Sequence, residues 1–266
     1  MSGRTSAPRA GIVPRTRARA RPKPCPPGGD VLNSSNVPRV LVVGATGELG
    51  TLAVDDLIRR GAEVALCGRD QGRLAALAER TGCPARHIDA YDLDDCAAAA
   101  PWAASSLGTL DGVLVTVGVA GFGHAAAVPN AVAEHLMTVN ALCPMAVLRG
   151  AASIVGAGGV LAAVTGAIVD GPLTGTADYA AAKAALSCWL GVLAREVRRR
   201  QVAVIDARLP HMATGFAGRA IVGRPPSLAR AADPAREIAA LIDEMVSHLD
   251  RASHLPVGAV TRKRAG

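Results

Sequence analysis

Two titratable side chains, Tyr179 and Lys183, stand four residues apart in a stretch that has the composition of a helix. This separation places both side chains on one face of a helix, where they can reach the same ligand. A phenol with a pKa of about 10 is a poor acid or base at neutral pH, and a neighbouring ammonium group lowers that pKa by stabilising the phenolate. The pair therefore predicts a general acid–base site. A chance occurrence is the alternative, because this spacing is common in helices.

A glycine-rich turn occupies residues 44–50 and follows the apolar run at residues 40–43. Glycines three residues apart allow a tight turn and a close approach of the backbone to a pyrophosphate, and the amino end of a following helix attracts phosphate. The turn predicts a dinucleotide site, with a purely structural turn as the alternative. The expected cofactor contacts in it are Gly44, Thr46, Gly47, Glu48, Leu49 and Gly50.

The end of the next predicted strand bears on which dinucleotide binds. An acidic residue there would bind the ribose 2′-hydroxyl of NAD, but the chain has Cys67 at that position and Arg69 two residues later. An arginine can stack on adenine and pair with a 2′-phosphate. We therefore expect NADP(H) in preference to NAD(H). In the alternative interpretation Arg69 is a solvated loop residue and Asp70 only caps a helix.

The elements that must position these residues alternate between strand and helix. This alternation predicts right-handed βαβ units in an α/β fold, a Rossmann-like doubly wound parallel sheet with helices on both faces, as a single domain over residues 37–266. In such a sheet ligands bind at the carboxyl ends of the strands. The predicted strands cover residues 40–43, 63–68, 87–89, 112–117, 159–164 and 202–208, and the predicted helices cover 48–60, the residues from 70 to about 80, 131–155, 177–200 and 234–249.

The distribution of charged residues along the chain indicates which classes of binding partner to expect. The chain of 266 residues has a net charge of +7, but residues 1–36 hold seven basic side chains and one acidic one, so the remainder is nearly neutral. The body therefore gives no electrostatic reason to expect nucleic acid as a partner. We expect the tail to be disordered, because it has almost nothing to bury. An inert extension is the favoured interpretation, ahead of a polybasic arm for nucleic acid or acidic lipid and of an organelle-targeting segment.

The spacing of the cysteines and the hydropathy of the chain indicate whether to expect a metal site or a membrane span. The six cysteines are scattered without metal-ligand spacing, which predicts neither a zinc site nor a disulfide framework and favours the cytoplasm. Residues 150–169 are uncharged and long enough to span a bilayer. Five glycines in that stretch favour a helix end, a turn and a buried strand instead. We therefore expect no metal and no membrane.

Taken together, the glycine-rich turn and the tyrosine–lysine pair resemble the short-chain dehydrogenase/reductase family over residues 39–249. The resemblance implies that Tyr179 is the general acid/base and that Lys183 binds the nicotinamide ribose and lowers the pKa of the tyrosine. It also implies that Asn140 anchors a proton-relay water, with a helix-bending, locally satisfied residue as the alternative. It implies a homo-oligomer, a dimer or a tetramer. Further cofactor contacts by resemblance are Asp89 at the adenine, Gly118 after the fourth strand, Pro210 after the sixth strand and Thr214 at the carboxamide.

The chain departs from the family pattern in several places. Its glycines fit the G-x-x-G-x-x-G spacing of extended and atypical members, residues 116–119 replace the Asn-Asn-Ala-Gly turn, and His211 replaces the glycine of Pro-Gly. The catalytic serine is missing, and Thr165 supplies a hydroxyl only if the loop shifts by one residue. Losing that hydrogen bond costs about 1–3 kcal/mol in a buried site, which slows catalysis without abolishing it.

These observations predict a cytoplasmic NADP-dependent oxidoreductase that moves hydride between the nicotinamide and a carbonyl or secondary alcohol of a small molecule. The alternative is a catalytically inactive dinucleotide-binding protein of the same fold that acts as a sensor or scaffold. His124 and His211 lie on loops expected near the site, where they either contact substrate or are ordinary loop residues. A lid between residues 213 and 232 carries no interpretable chemistry.

Overall fold

A six-stranded parallel sheet forms the centre of the computed structural model, which describes residues 37–253. The strand order is β3-β2-β1-β4-β5-β6. The order reverses between β1 and β4, the place where doubly wound sheets bind ligands. The predicted Rossmann-like α/β fold is therefore confirmed. The strands are β1 (Arg39–Val43), β2 (Glu63–Gly68), β3 (Ala85–His87), β4 (Gly112–Val115), β5 (Val160–Val164) and β6 (Ala203–Ala207).

Helices cover both faces of the sheet. Helices α1, α2 and α7 bury one face in a core that includes Leu57, Leu74 and Ile242. Helices α3, α5 and α6 bury the other face, in a core that includes Leu148 and Leu186. The helices are α1 (Glu48–Arg59), α2 (Gln71–Thr81), α3 (Leu93–Leu107), α4 (Asn130–Met137), α5 (Cys143–Ala151), α6 (Ala177–Val197) and α7 (Pro234–Ser253), and a π-helical turn (Thr138–Leu142) joins α4 to α5.

The two-sided cover explains why the central strands are apolar throughout. In β1, Leu41 and Val43 point into the core beneath α3 and α5, while Val40 and Val42 point into the core beneath α1 and α7. All four side chains are fully buried. A strand buried on both faces has no polar alternation to display, which is why a continuous apolar run predicted it.

Several elements differ from the sequence prediction, and strand β4 ends at Val115, two residues before its predicted end. Strand β3 ends at His87, two residues before the predicted end, because the Asp89 carboxylate accepts a hydrogen bond from the backbone N–H of Tyr91 at 3.0 Å and begins a turn. Helix α3 was not predicted, since its alanine-rich sequence with an internal Pro101 has a weak periodic signal. Its amino end carries a clear cap, in which Asp92 accepts from the backbone N–H of Asp95 at 2.9 Å. The predicted helix 131–155 is interrupted by the π-helical turn and ends at Ala151.

Two predictions concern disorder and membrane spans. The tail at residues 1–36 lies outside the described residues. Residues 150–169 form the end of α5, strand β5 and a 3₁₀ turn rather than one helix, as predicted. A different stretch, Asn130–Ala151, is long and apolar enough to cross a membrane, with a mean hydropathy of 1.4. Half of that stretch is buried within the protein, and the core helix of a globular domain has the same character.

Close packing of α3 against α5 depends on Gly150. A Cβ atom placed on Gly150 would lie 2.0 Å from the carbonyl oxygen of Ala97 in α3. Backbone atoms cannot move aside as a flexible side chain can, so the two helices would have to separate. By contrast, Gly191 in α6 is exposed, and a Cβ there meets nothing within 4 Å.

The same substitution at these two positions should have opposite effects. Gly150→Ala should lower the free energy of unfolding by about 1–3 kcal/mol, the usual cost of overpacking. Gly191→Ala should raise it by about 0.5–1 kcal/mol, because alanine restricts the unfolded chain and favours a helix. Urea unfolding followed by circular dichroism measures both. Equal effects of the two variants would contradict this account of the α3–α5 contact.

Candidate active site

The predicted tyrosine and lysine lie near the amino end of α6, at the carboxyl edge of the sheet. Lys183 is buried, with 3% of its surface exposed, and its ammonium donates a hydrogen bond to the carbonyl oxygen of Val164, the last residue of β5, at 3.0 Å. Tyr179 is partly buried one helical turn earlier. The separation of four residues thus places both groups on the side of α6 that faces the ends of the strands.

The environment shifts the pKa values of both groups. Burial raises the pKa of Tyr179 to about 12, opposite to the lowering that the sequence predicts. Burial also lowers the pKa of Lys183 to about 8, and the nearby charge of Asp206 partly offsets this effect. At neutral pH the tyrosine is therefore a protonated phenol beside a largely protonated amine, an arrangement suited to donating a proton.

Asn140 and Gly118 lie against Lys183. A Cβ on Gly118 would stand 3.0 Å from Asn140 Oδ1 and 3.3 Å from Lys183 Nζ, so any side chain here would crowd both groups. Asn140 is fully buried in the π-helical turn, and its amide donates to the carbonyls of Val119 and Leu136, both at 3.0 Å. Its oxygen accepts from the Val119 N–H at 3.1 Å. The side chain is thus locally satisfied, and the relay-water role remains a prediction.

The glycine-rich turn has the close approaches that such a turn requires. Gly44 has a φ of +89°, and a Cβ placed on it would lie 2.7 Å from Thr116 Oγ1. A Cβ on Gly50 would lie 2.1 Å from the Gly44 carbonyl oxygen. Helix α1 begins after Gly47 with no side chain capping its free N–H groups. These donors, with Thr46, Glu48 and Leu49 around them, form a cradle at the helix end that suits phosphate oxygens.

Arg69 and Asp89 share the neighbouring edge of the sheet, because Gly68 and His87 are partners in the β2–β3 pairing. Arg69 is exposed and makes no salt bridge within residues 37–253. Asp70 caps α2 by accepting from the Arg73 N–H at 2.9 Å. The capping role considered for Asp70 is present, and Arg69 is left available for a ligand.

The remaining predicted residues follow β4 and β6. Pro210 is exposed three residues after the end of β6, and Thr214 is buried, with its hydroxyl accepting from the Phe216 N–H at 3.4 Å. His124 is exposed and His211 is partly exposed. Among residues 37–253, no group of three His, Cys or acidic side chains is arranged to hold a metal ion.

Comparison with known proteins decides the family. The family model for the short chain dehydrogenases matches residues 38–221, which include the glycine-rich turn, Asn140, Tyr179 and Lys183. The chain belongs to the short-chain dehydrogenase family. No curated protein matches it significantly.

Solved structures of the short-chain dehydrogenase family resemble the chain along most of its length. TTHB094 from Thermus thermophilus, provisionally named a short-chain oxidoreductase, is 29% identical, with a TM-score of 0.66 over 84% of this chain and 98% of the other. BdcA, solved with NADPH, is 24% identical, with a TM-score of 0.67 over 77% and 85%. A short-chain dehydrogenase from Burkholderia cenocepacia, solved with NADP, is 23% identical, with a TM-score of 0.66 over 79% and 90%.

The departure from the short-chain dehydrogenase pattern at residues 165–166 is built into the backbone. Thr165 is 1% exposed, and its hydroxyl donates its proton to the Asp206 carboxylate. That proton is not available to a substrate while this bond is present. Gly166 has φ +96° and ψ 156°, a region that is essentially restricted to glycine. A serine at position 166 would therefore need a different backbone conformation, not only a larger side chain. The catalytic role of the Thr165 hydroxyl in place of the serine remains a prediction.

Sequence reasoning missed the aromatic surroundings of Tyr179. Its ring lies 6.5 Å from that of Phe122 and 6.2 Å from that of Phe216, between centroids. The loops that carry the two phenylalanines are joined, because the Ile221 N–H donates to the carbonyl of Ala120 at 2.8 Å. One signal was available. The chain contains only two phenylalanines, and both follow strands at the edge where sheets of this kind bind ligands.

Sequence reasoning also missed Asp206. This residue is an acid within an otherwise apolar strand, β6, which could have marked it. Its contacts with Thr165 and its influence on Lys183 place it directly beneath the candidate site.

Restoring the serine should therefore destabilise the protein. We expect Gly166→Ser to lower the free energy of unfolding by about 1–3 kcal/mol, because a side chain is strained at this φ and ψ. Gly171→Ser is the matched control in the same loop, since a Cβ there meets nothing within 4 Å and its φ is not positive. Thermal unfolding of the two variants measures the difference. If the Gly166→Ser variant is as stable as the control, a side chain at position 166 is not strained.

Proposed function

We propose that the chain is an NADP(H)-dependent oxidoreductase that moves hydride between the nicotinamide and a carbonyl or secondary alcohol of a small molecule. One observation carries the proposal: Tyr179 and the buried Lys183 lie on one face of α6, with Lys183 beside Asn140 and Gly118, at the sheet edge that also holds the glycine-rich turn. We place this activity in the cytoplasm and expect a homo-oligomer, as the family resemblance implies.

The chain's own residues fit a dinucleotide. The uncapped end of α1 and the side-chain-free surface of Gly44, Gly47 and Gly50 would hold the pyrophosphate. Arg69 lies at the adjoining edge, makes no salt bridge among residues 37–253 and would pair with a 2′-phosphate. The complexes of BdcA with NADPH and of the B. cenocepacia enzyme with NADP support the same choice. Bound there, a reduced nicotinamide supplies hydride.

The proton would come from Tyr179. Its raised pKa keeps the phenol protonated at neutral pH, so the side chain is ready to protonate the oxygen of a carbonyl that accepts hydride. Lys183 would orient the ribose and stabilise the phenolate left behind. This direction of proton transfer favours reduction over oxidation near neutral pH.

The rings around Tyr179 bear on the substrate. Phe122 and Phe216 present apolar surface on two sides of the phenol. A carbonyl with apolar substituents would bury them against these rings, while a highly charged substrate would lose hydration there without a matching partner. We therefore propose an apolar ketone, aldehyde or quinone as substrate.

An inactive sensor or scaffold is the second candidate. Two observations favour the inactive protein: position 166 has no hydroxyl, and the Thr165 hydroxyl already donates to Asp206. A substrate oxygen would therefore lack one hydrogen bond. The position of the buried Lys183 near Tyr179 on one face of α6 favours the enzyme, because its ammonium can stabilise the phenolate that proton transfer leaves behind.

Replacing the phenol tests the enzyme directly. Tyr179→Phe keeps the ring and its packing but removes the acidic proton, so turnover of NADPH with an apolar ketone should fall by about 10²–10⁴-fold. Cofactor affinity, measured by calorimetry, should be retained. Lys183→Ala should lose both turnover and affinity. Tyr91→Phe, at the only other tyrosine of the chain, should leave turnover unchanged. If Tyr179→Phe retains full rate, the mechanism is wrong; if the native protein binds NADPH but reduces no carbonyl, the sensor takes its place.

Replacing Arg69 tests the proposed preference for NADP(H) over NAD(H). A charge-assisted hydrogen bond contributes about 1.5–3 kcal/mol, so Arg69→Ala should weaken NADPH binding about ten- to hundredfold. NADH affinity should barely change, because that cofactor lacks the 2′-phosphate. Arg80→Ala is the matched control, since Arg80 pairs with Asp55 at 2.8 Å on α1. Equal affinities of the native protein for the two cofactors in calorimetry would remove the reason to prefer NADP(H).

A further inference from the structure

Beneath the catalytic helix, a carboxylate gathers three hydrogen-bond donors. Asp206 of β6 accepts from the hydroxyl of Thr165 with one oxygen. Its other oxygen accepts from the hydroxyl of Ser187 at 2.6 Å and from Arg208 Nε at 3.1 Å. The Asp206 side chain is 23% exposed. One acidic group thus connects the end of β5, helix α6 and its own strand.

Arg208 extends this cluster outward. It donates to the Ser187 hydroxyl at 2.9 Å and forms an ion pair with Asp170, in the turn after β5. Arg208 and Asp170 are considerably more exposed than Asp206, at 40% and 58% of their side-chain surfaces. Asp206 thus binds the more exposed Arg208 directly and acts on the pKa of Lys183 through its charge.

Lys183 is held by the same part of the fold. Lys183 and Ser187 are one turn apart on α6 and both are buried. The Lys183 ammonium binds the carbonyl of Val164, and the next residue, Thr165, binds Asp206. Two consecutive residues at the end of β5 are therefore fixed to α6 and β6 by the lysine and the aspartate.

The charges that face Lys183 are few. Tyr179, on its own helix, is a neutral phenol, and Asn140, from the π-helical turn, is uncharged. Arg208 contacts Asp206, and Asp170 contacts Arg208. Within residues 37–253, Asp206 is the charged group that acts on the Lys183 pKa, and it raises that pKa against the effect of burial.

Resting on the proposed function, we propose that Asp206 is a positioning residue of the reaction: it fixes the Val164–Thr165 end of β5, whose carbonyl binds the Lys183 ammonium, and it places a negative charge on the side of α6 that carries Lys183 and Ser187. A purely structural aspartate would stabilise the fold but would leave the titration of Lys183 unchanged. That difference makes the two roles separable.

The composition of the chain provides a direct measurement. The sequence contains three lysines, Lys23, Lys183 and Lys263, and only Lys183 lies within the described residues. Labelling the lysine side chains with ¹³C therefore gives three NMR signals in the full chain, and the Lys183 signal is identified by its loss in Lys183→Arg. Its titration midpoint reports the protonation of the ammonium without any substrate.

The midpoint should respond to charge in both directions. Asp206→Asn keeps the shape but removes the charge, so the Lys183 midpoint should fall by about one unit or more. Arg208→Gln removes the cation that competes for Asp206, so the midpoint should rise. Asp170→Asn is the matched control, a carboxylate that binds the same arginine but does not act on the Lys183 pKa, and it should leave the midpoint close to the native value. Because Arg208 is partly exposed, its variant tests the proposal even if Asp206→Asn fails to fold.

Kinetics provide the second readout. In the alkaline range, the pH at which carbonyl reduction is lost should move with the NMR midpoint in each variant. A Lys183 midpoint that does not move in Asp206→Asn or in Arg208→Gln overturns the proposal. If the midpoints move as expected but the native protein reduces no carbonyl, the proposed function fails while the electrostatic role of Asp206 stands.

Discussion

The site depends on the burial of one ammonium group. Lys183 is enclosed by α6, the end of β5 and the loop at Gly118, and a cation in such surroundings needs partners that replace water. The Val164 carbonyl supplies a hydrogen bond and Asp206 supplies charge. Each partner lies at the carboxyl end of a strand. The register of β5 with β6 therefore helps to offset the free-energy cost of burying the Lys183 ammonium. The parallel pairing of Val164 with Ala207 and of Ala163 with Asp206 fixes that register.

The architecture could be predicted because its signals are local and repeated. The apolar run of β1, the glycines that follow it and the spacing of Tyr179 and Lys183 each constrain a neighbourhood of a few residues, and together they determine the sheet and its binding edge. Helix α3 was missed because alanines carry little amphipathic contrast. Its cap at Asp92 would have been the better signal.

The surroundings of the site could not be predicted from spacing, because they come from residues far apart in the chain. Thr165 and Asp206 are 41 residues apart and meet only because β5 and β6 are neighbours. Phe122 and Phe216 meet Tyr179 only because two loops converge on the amino end of α6 at one edge of the sheet. The pKa of Tyr179 depends on the same convergence: the sequence indicated the ammonium that would lower it but not the burial that raises it.

The turn at Gly166 has an evolutionary consequence. A lineage with an ordinary backbone there can exchange serine and glycine freely, so a lost hydroxyl can return by a single substitution. In this chain the φ of +96° makes every side chain at that position strained. A returning serine would first need a rebuilt loop, and selection would have no reason to retain the loop before the serine arrived. A hydroxyl for the site is therefore reached more readily by a substitution at a neighbouring position of ordinary backbone than by one at position 166.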